Sequence, residues 1–501
     1  MSTTDINNVP LELFPVPSSP ASPLIPRPWP GISPESTAAL REVLQDNHTR
    51  WHIFFNDIGS NHSSHRAIAN WALGASDDVI KAGYEYDCAH QRTALDAPEA
   101  ITARNFKDHL EDGQYYRGYL AFFTGVIRQH GVAAVVEQYV FSKEANIDSD
   151  PAATMQPHFL SRFLGSLVHP MIHVGYGLEF GLPGMVAEGL AEAAVHAGPT
   201  SACIPDDFLN YRLEEAEKRT KDGATDCVKL KREAGDGAHV FTVLARILND
   251  PALGTLQKFG NGGSVMYAST MKEHGAALIQ HMADWRVDAT DPRDVQRKIE
   301  ELSWMNTLIY GVGGWSKAKP FNADFFHMHL VTSSIFLASY AAYLTPSSQA
   351  QLLRGYLLGS LTWWVSRGRP NLDIKGFYEA TSPHPTSVGP PPSPSKGALL
   401  PSDPDKAATP NAWLPIVENA VVHPDDHVPK IQRALSHYSA LYGSREAGQP
   451  DFNATELPGA DKLDGSLFIR VAGLTASRMG RVREGEEPGP KGWDRSGFYK
   501  A

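Results

Sequence analysis

The feature that most constrains this chain is the spacing of its apolar residues, which return every three to four positions in one long segment after another. A 3.6-residue period marks amphipathic helices, because it lines apolar side chains along one face. It runs through HRAIANWALGA, FKDHLEDGQYYRGYLAFFTGVIRQHG, PHFLSRFLGSLV, MVAEGLAEAAVHAG, HVFTVLARILN, DFFHMHLVTSSIFLASYAAYL and SSQAQLLRGYLLGSLTWWVSR, among others. STAALREVLQDNHTRWHIFF opens the series, with Ser36 as its N-cap candidate. Strand-like alternation is scarce and no strand–helix–strand rhythm appears. The expected fold is therefore mainly all-α, a single irregular helical enzyme domain with long loops.

The boundaries follow from breaks in that period. Residues 1–35 are rich in Pro and Ser and read as an extended arm. Residues 36–444 form the expected helical catalytic domain, interrupted at 380–410 by a Pro/Ser-rich insertion that can hold neither helix nor ladder. Residues 445–501 read as an irregular C-terminal segment apart from SLFIRVAGLTASRM. No fixed-period repeat is present, which argues against a solenoid.

Of 501 residues, 42% are hydrophobic, enough for a large core, and the formal charge is -11. That balance, without any Lys/Arg run, argues against nucleic acid and anionic membrane as partners. The three cysteines (Cys88, Cys203 and Cys227) form no CxxC pair, so neither a zinc ribbon nor a disulfide framework is expected. The first residues carry no basic stretch followed by an apolar core, and no run approaches the roughly 18–20 apolar residues of a membrane span. A soluble protein of the cytoplasm is the expectation.

Chemistry is signalled by histidines placed inside apolar text. In LGSLVHPMIHVGYGLEFG, His169 and His173 lie four apart. On one helix their rings project from one face about 5–6 Å apart, close enough to share a metal. Two core histidines bonded to neighbouring helices fit the same text equally well. Pro170 requires the helix to begin or kink at this point. His62 and His65, in NDIGSNHSSHRAIANWALGAS, are three apart and also share a face; His62 has the more polar surroundings, so His65 is the better ligand candidate. His327 and His329 are two apart and point to opposite sides, and the helical phase mildly favours His329. There is no HExxH, no GxSxG and no GxGxxG after a strand, so a zincin, an α/β-hydrolase and a Rossmann domain are not expected.

Taken together, HPMIHVGYGLEF, PGMVAEGLAEAAVHAG, FNDIGSNHSSHRAIANWALGAS, DFFHMHLVTSSIFL and HPDDHVPKIQRAL resemble the questin oxidase-like family over about residues 50–440. The resemblance implies a fungal, non-haem Fe(II) oxygenase of secondary metabolism. Its reaction would be a Baeyer–Villiger-like ring cleavage of an anthraquinone-type aromatic polyketide, with dioxygen as co-substrate and NADPH as an external reductant. It further implies iron held by four histidines and a carboxylated lysine. Carried over, these are His169, His173, His329, one of His62 or His65, and Lys375 in RGRPNLDIKGFYEATSP. A lysine that loses its charge by burial can take up carbon dioxide and become an anionic oxygen ligand.

Tyr176 is the other candidate catalytic side chain. Asp373, Arg367, Arg369, Glu179 and Glu188 are candidates for orienting the ligands. Trp51, Trp71, Phe325, Phe326, Trp363 and Trp364 are candidate surfaces for a flat substrate. Two other readings use the same histidines: a zinc-type hydrolase, and a helical binding scaffold without catalysis.

Overall fold

A computed structural model describes residues 12–56, 59–149, 156–196, 237–253, 263–385, 394–402, 409–489 and 492–498. Among these residues the chain is all-α. No β-strand is present, and strand-type pairing is confined to isolated bridges: Trp51 with Thr93, Phe54 with Ser60 and Asp324 with Asp494. The first helix, α1 (Pro34–Arg50), starts before the expected Ser36. Ser33 caps it, exchanging hydrogen bonds with Ser36, and Pro34 supplies the preset φ of a first turn. It also stops short of the apolar WHIFF run, because Trp51 turns to extended backbone.

The centre of the molecule is a helical hairpin, α2 (His169–Phe180) and α3 (Pro183–Val195). Both helices are apolar or small around most of their circumference, so they are buried rather than half-exposed. Gly181 closes α2 in the left-handed conformation, at φ 63°, and Pro183 begins α3. The two backbones meet closely at Gly189, where a Cβ would fall 2.7 Å from the Val174 side chain and 2.9 Å from the His173 Cβ. Any larger residue there would push the hairpin apart.

Around it stand α4 (Phe325–Ser333), α5 (Pro346–Ser366), α6 (His427–Tyr442) and α7 (Leu467–Met479). The helix Ser63–Ala72 packs against both α2 and α6, and α4 packs against α6, so these four helices share one junction. The described part of the Pro-rich arm lies along this assembly, with Phe14 buried and Ser18 bonded to the Phe180 carbonyl. Residues beyond 445 also join the core: α7 packs on α6, and Trp493 and Phe498 are buried. Of the 380–410 insertion, residues 380–385, 394–402 and 409–410 are described; Ala380 ends a helix, and 394–402 are exposed and non-helical. Cys203 and Cys227 lie outside the described residues, and Cys88 is a free, partly buried thiol. Among the described residues no helix is long and apolar enough to cross a membrane.

Candidate metal centre

His169 opens α2, as Pro170 requires, immediately after three successive left-handed residues: Ser166, Leu167 and Val168, at φ 48°, 53° and 59°. Each non-glycine residue held this way costs about 1–3 kcal/mol and persists only where the surroundings over-determine it. Here the turn folds the Ser166 carbonyl back onto its own histidine, which donates Nδ1–H to it at 2.5 Å. The Nε2 lone pair of His169 is thereby aimed away from the turn, and it meets His62 Nε2 at 2.8 Å.

The same construction recurs three times. His62, at the N-cap of Ser63–Ala72, donates Nδ1–H to Asp426 Oδ2 at 2.6 Å. His329, on α4, donates Nδ1–H to the Phe325 carbonyl at 2.7 Å, and its buried Nε2 has no partner. His427, first residue of α6, has Nδ1 3.1 Å from both Asp425 Oδ1 and Asp426 Oδ1, and its buried Nε2 is likewise without a partner. Nitrogens of His62, His169 and His329 lie within 4.8 Å of one another. The His427 ring sits 4.7 Å from that of His62 and 5.0 Å from that of His329.

Four imidazoles thus have Nδ1 tied to a carbonyl or carboxylate, which fixes Nε2 as the lone-pair nitrogen. Two lone pairs 2.8 Å apart repel unless something electrophilic lies between or beside them. Burial pushes the pKa of His62 down to about 3 and those of His169 and His329 well down, so protonation does not relieve this. For His427 burial also works against charge, but Asp426 and Asp425 outweigh it and raise its pKa. The donor set fits a borderline transition metal, and the groups on each Nδ1 are the orienting partners such a site requires.

The remaining sequence candidates fall into separate places. His173 has both ring nitrogens engaged, Nδ1 with His65 Nε2 at 2.9 Å and Nε2 with Glu188 Oε2 at 2.7 Å. His65 and His173 therefore form a layer behind the cluster, continued through Glu188 Oε1 to His48 Nδ1 at 2.6 Å. Burial tends to raise the Glu188 pKa, but the hydrogen bonds from His173 and His48 prevail and bring it down to about 2. Of the N-terminal pair, His62 is the one that faces His169. Of the α4 pair, His329 joins the cluster while His327 turns toward Phe498.

Lys375 is not brought to this site. Its side chain is 72% exposed and lies 3.9 Å from Glu379, one turn along the same short helix. A side chain this exposed faces solvent rather than the buried imidazoles. The buried lysine beside the cluster is Lys430, 5% exposed, with Nζ 3.4 Å from Asp426 Oδ2; burial lowers its pKa. His427, Asp425, Asp426 and Lys430 all belong to the HPDDHVPK text but were not distinguished by spacing; the readable signal was a His and a Lys three apart at a helix start.

Arg367 does not attend a lysine either. It makes a buried two-pronged contact with Asp324 at 2.8 and 2.9 Å, and Asp324 caps α4, the helix that carries His329. Arg369 bonds the Ile247 carbonyl, and Asp373 caps the helix that bears Lys375. Glu179 pairs with Arg433. Tyr176 is buried, with its ring 5.2 Å from His65. Of the aromatic candidates, Phe325 touches the cluster, its edge against His329 and His427 at 4.6 and 5.1 Å. Phe326 stacks on Trp363, Trp71 packs on Phe180, Trp51 bonds Tyr84, and Trp364 is core.

The described residues thus form an all-α protein built around a cluster of buried, oriented imidazoles. The questin oxidase-like family model matches residues 60–435, a span that contains every cluster histidine and Lys430, and the chain belongs to that family. It is an oxidoreductase. It is similar to the Baeyer-Villiger monooxygenase AacuH of Aspergillus aculeatus, 28% identical over 88% of this chain and 86% of that one. The questin oxidase of Aspergillus terreus is 26% identical over 82% of each chain. The Baeyer-Villiger oxidase mdpL of Emericella nidulans is 28% identical over 88% of this chain and 87% of its own.

Proposed function

We propose that this chain is a non-haem iron oxygenase that cleaves a ring of an anthraquinone-type aromatic polyketide in fungal secondary metabolism. The observation that carries the reading is the convergence of buried imidazoles whose Nδ1–H groups are all spent on carbonyls or carboxylates. His62, His169, His329 and His427 would hold the metal. When bound, Fe(II) supplies the redox chemistry that lets dioxygen react with a closed-shell aromatic molecule.

Everything else is done by the chain. Asp426, Asp425 and the Ser166 and Phe325 carbonyls hold the rings in one tautomer and one orientation. Phe325, with the Arg495 guanidinium 3.7 Å over its face, covers the cluster and keeps water from it. Lys430 takes the role that the family resemblance gives a carboxylated lysine. Its buried amine, whose pKa desolvation lowers, would add carbon dioxide at Nζ and release one proton, leaving an anionic oxygen beside the imidazoles. Insertion of one oxygen atom next to a ring ketone leaves the second to be reduced to water; a reductant such as NADPH would supply two electrons and one proton as hydride, and solvent the second proton.

Metal analysis of the purified protein tests this directly. About one iron per chain, lost together with activity in His329→Ala, is the expected result. Zinc as the sole tight metal overturns it in favour of a hydrolase. A metal-free protein whose His329→Ala variant is as stable as the parent leaves only a scaffold. With isotopically labelled dioxygen, NADPH and a hydroxylated anthraquinone, one labelled oxygen atom should appear in the ring-opened product.

A further inference from the structure

A cavity of about 610 Å³ opens beyond the C-terminal end of α3, and none of the cluster histidines lines it. Its walls include Phe54, Leu95, Pro98 and Val195, and Arg92 and His196 are among its polar lining. This volume is in the usual range of small-molecule sites, roughly 300–1,000 Å³. His196 is 9% exposed, and its buried Nδ1 has no hydrogen-bond partner. Burial holds that imidazole neutral, with a pKa lowered to about 4.

Arg92 is fixed in place by an unusual partner. His52 donates Nε2–H to the Gly113 carbonyl at 2.9 Å, which leaves its Nδ1 to accept from Arg92 at 2.9 Å and from the Phe54 amide at 3.0 Å. A neutral ring, not a carboxylate, therefore positions this guanidinium, and among the described residues Arg92 has no ion pair. The acids nearby have other occupations: Glu111 pairs with Arg162 at 2.9 Å, and Asp112 caps Gln114 at 2.9 Å. With Asp96 they still make the rim acidic, which disfavours polyanions such as nucleotide phosphates while a single acidic oxygen can reach Arg92.

We propose that this cavity is a binding site for a planar, hydroxylated aromatic molecule, separate from the histidine cluster. Arg92 and His196 take a phenolate or carbonyl oxygen, and Phe54, Leu95 and Pro98 cover the rings. The choice of a polyketide-like aromatic rests on the oxygenase reading; the site itself does not. Hydrogen bonds along α3 link the cavity's edge to the surroundings of the histidine cluster. His196 follows its last turn, Glu192 accepts from Ser60 at 2.7 Å, two residues from His62, and Glu188 accepts from His173.

The test is calorimetric titration of the full-length protein with 1,8-dihydroxyanthraquinone and with unsubstituted anthraquinone. Arg92→Met should weaken binding of the dihydroxy compound about ten- to a hundredfold and leave the weaker binding of the parent anthraquinone unchanged. Leu95→Glu, at a position 75% exposed and safe for folding, should weaken the dihydroxy compound about tenfold by repelling its acidic oxygen. Binding that survives both substitutions, or is lost only in His329→Ala, places the molecule at the cluster and overturns the proposal. Binding that follows Arg92 and Leu95 in a protein found to lack iron upholds the cavity and removes the oxygenase reading instead.

Discussion

The two histidines of α2 are one helical turn apart, share a face and are both buried, yet they do different work. His169 spends one nitrogen on a strained backbone turn and leaves the other as a lone pair in the cluster. His173 spends both, one on His65 and one on Glu188. Burial alone does not make an imidazole a ligand. What separates the two is whether the second nitrogen has been satisfied, and that is decided by partners brought in from other helices.

Removing each ring should break the molecule differently. His169→Ala removes a lone pair from the centre, and we expect loss of bound metal by more than about a hundredfold in affinity, with activity falling in parallel. Lys430→Met should come next. It deletes a buried amine that sits beside Asp426, so activity should vanish while the helical circular dichroism stays. His173→Gln, which keeps a donor and an acceptor, should cost less. An orienting partner one layer back typically contributes 10- to 100-fold in metal affinity, and the loss should be near the lower figure. Equal metal loss in His169→Ala and His173→Gln would erase the distinction between the two layers.

Glu188 sharpens the same contrast through pH. Its folded-state pKa, about 2, lies below the ordinary carboxylate value of 4.5. A depressed carboxylate contributes stability that is present above its unfolded pKa and lost as pH falls through the folded one. Glu188→Gln should therefore lower the melting temperature at neutral pH, and the gap to the parent should close between about pH 4.5 and pH 2. A gap independent of pH would mean that Glu188 acts by packing alone.

How far the sequence reaches can be seen in these same residues. Helices were legible because apolar spacing is a local property, and Pro170 gave the start of α2 correctly. The HPMIH pair was legible as chemistry, because two histidines four apart in apolar text need partners. The division of labour between them was not, since Asp426, Glu188 and His65 come from distant segments. Lys430 escaped for the same reason. Its segment reads as helical, but nothing local says which face is covered, and only the packing of α6 against α4 and Ser63–Ala72 buries it.

The comparison of lysines gives the smallest expected effect and the sharpest discrimination. Lys375 is exposed, and its only described partner is a Glu379 that is itself 67% exposed. A surface pair of this kind on one helix contributes about 0.3–0.5 kcal/mol, and salt screens it. Lys375→Met should therefore change stability by no more than about 0.5 kcal/mol, with iron content and turnover as in the parent. The carboxylated lysine that the family resemblance implies would occupy only one of the two positions. If Lys375→Met loses iron while Lys430→Met keeps it, the helix bearing Lys375 must fold inward in the working enzyme, and the assignment of Lys430 fails. If the reverse holds, burial rather than proximity to a recognisable motif is what selects the lysine. Burial is the physical ground for expecting that outcome, because desolvation lowers the pKa of the Lys430 amine and favours the neutral form that can add carbon dioxide.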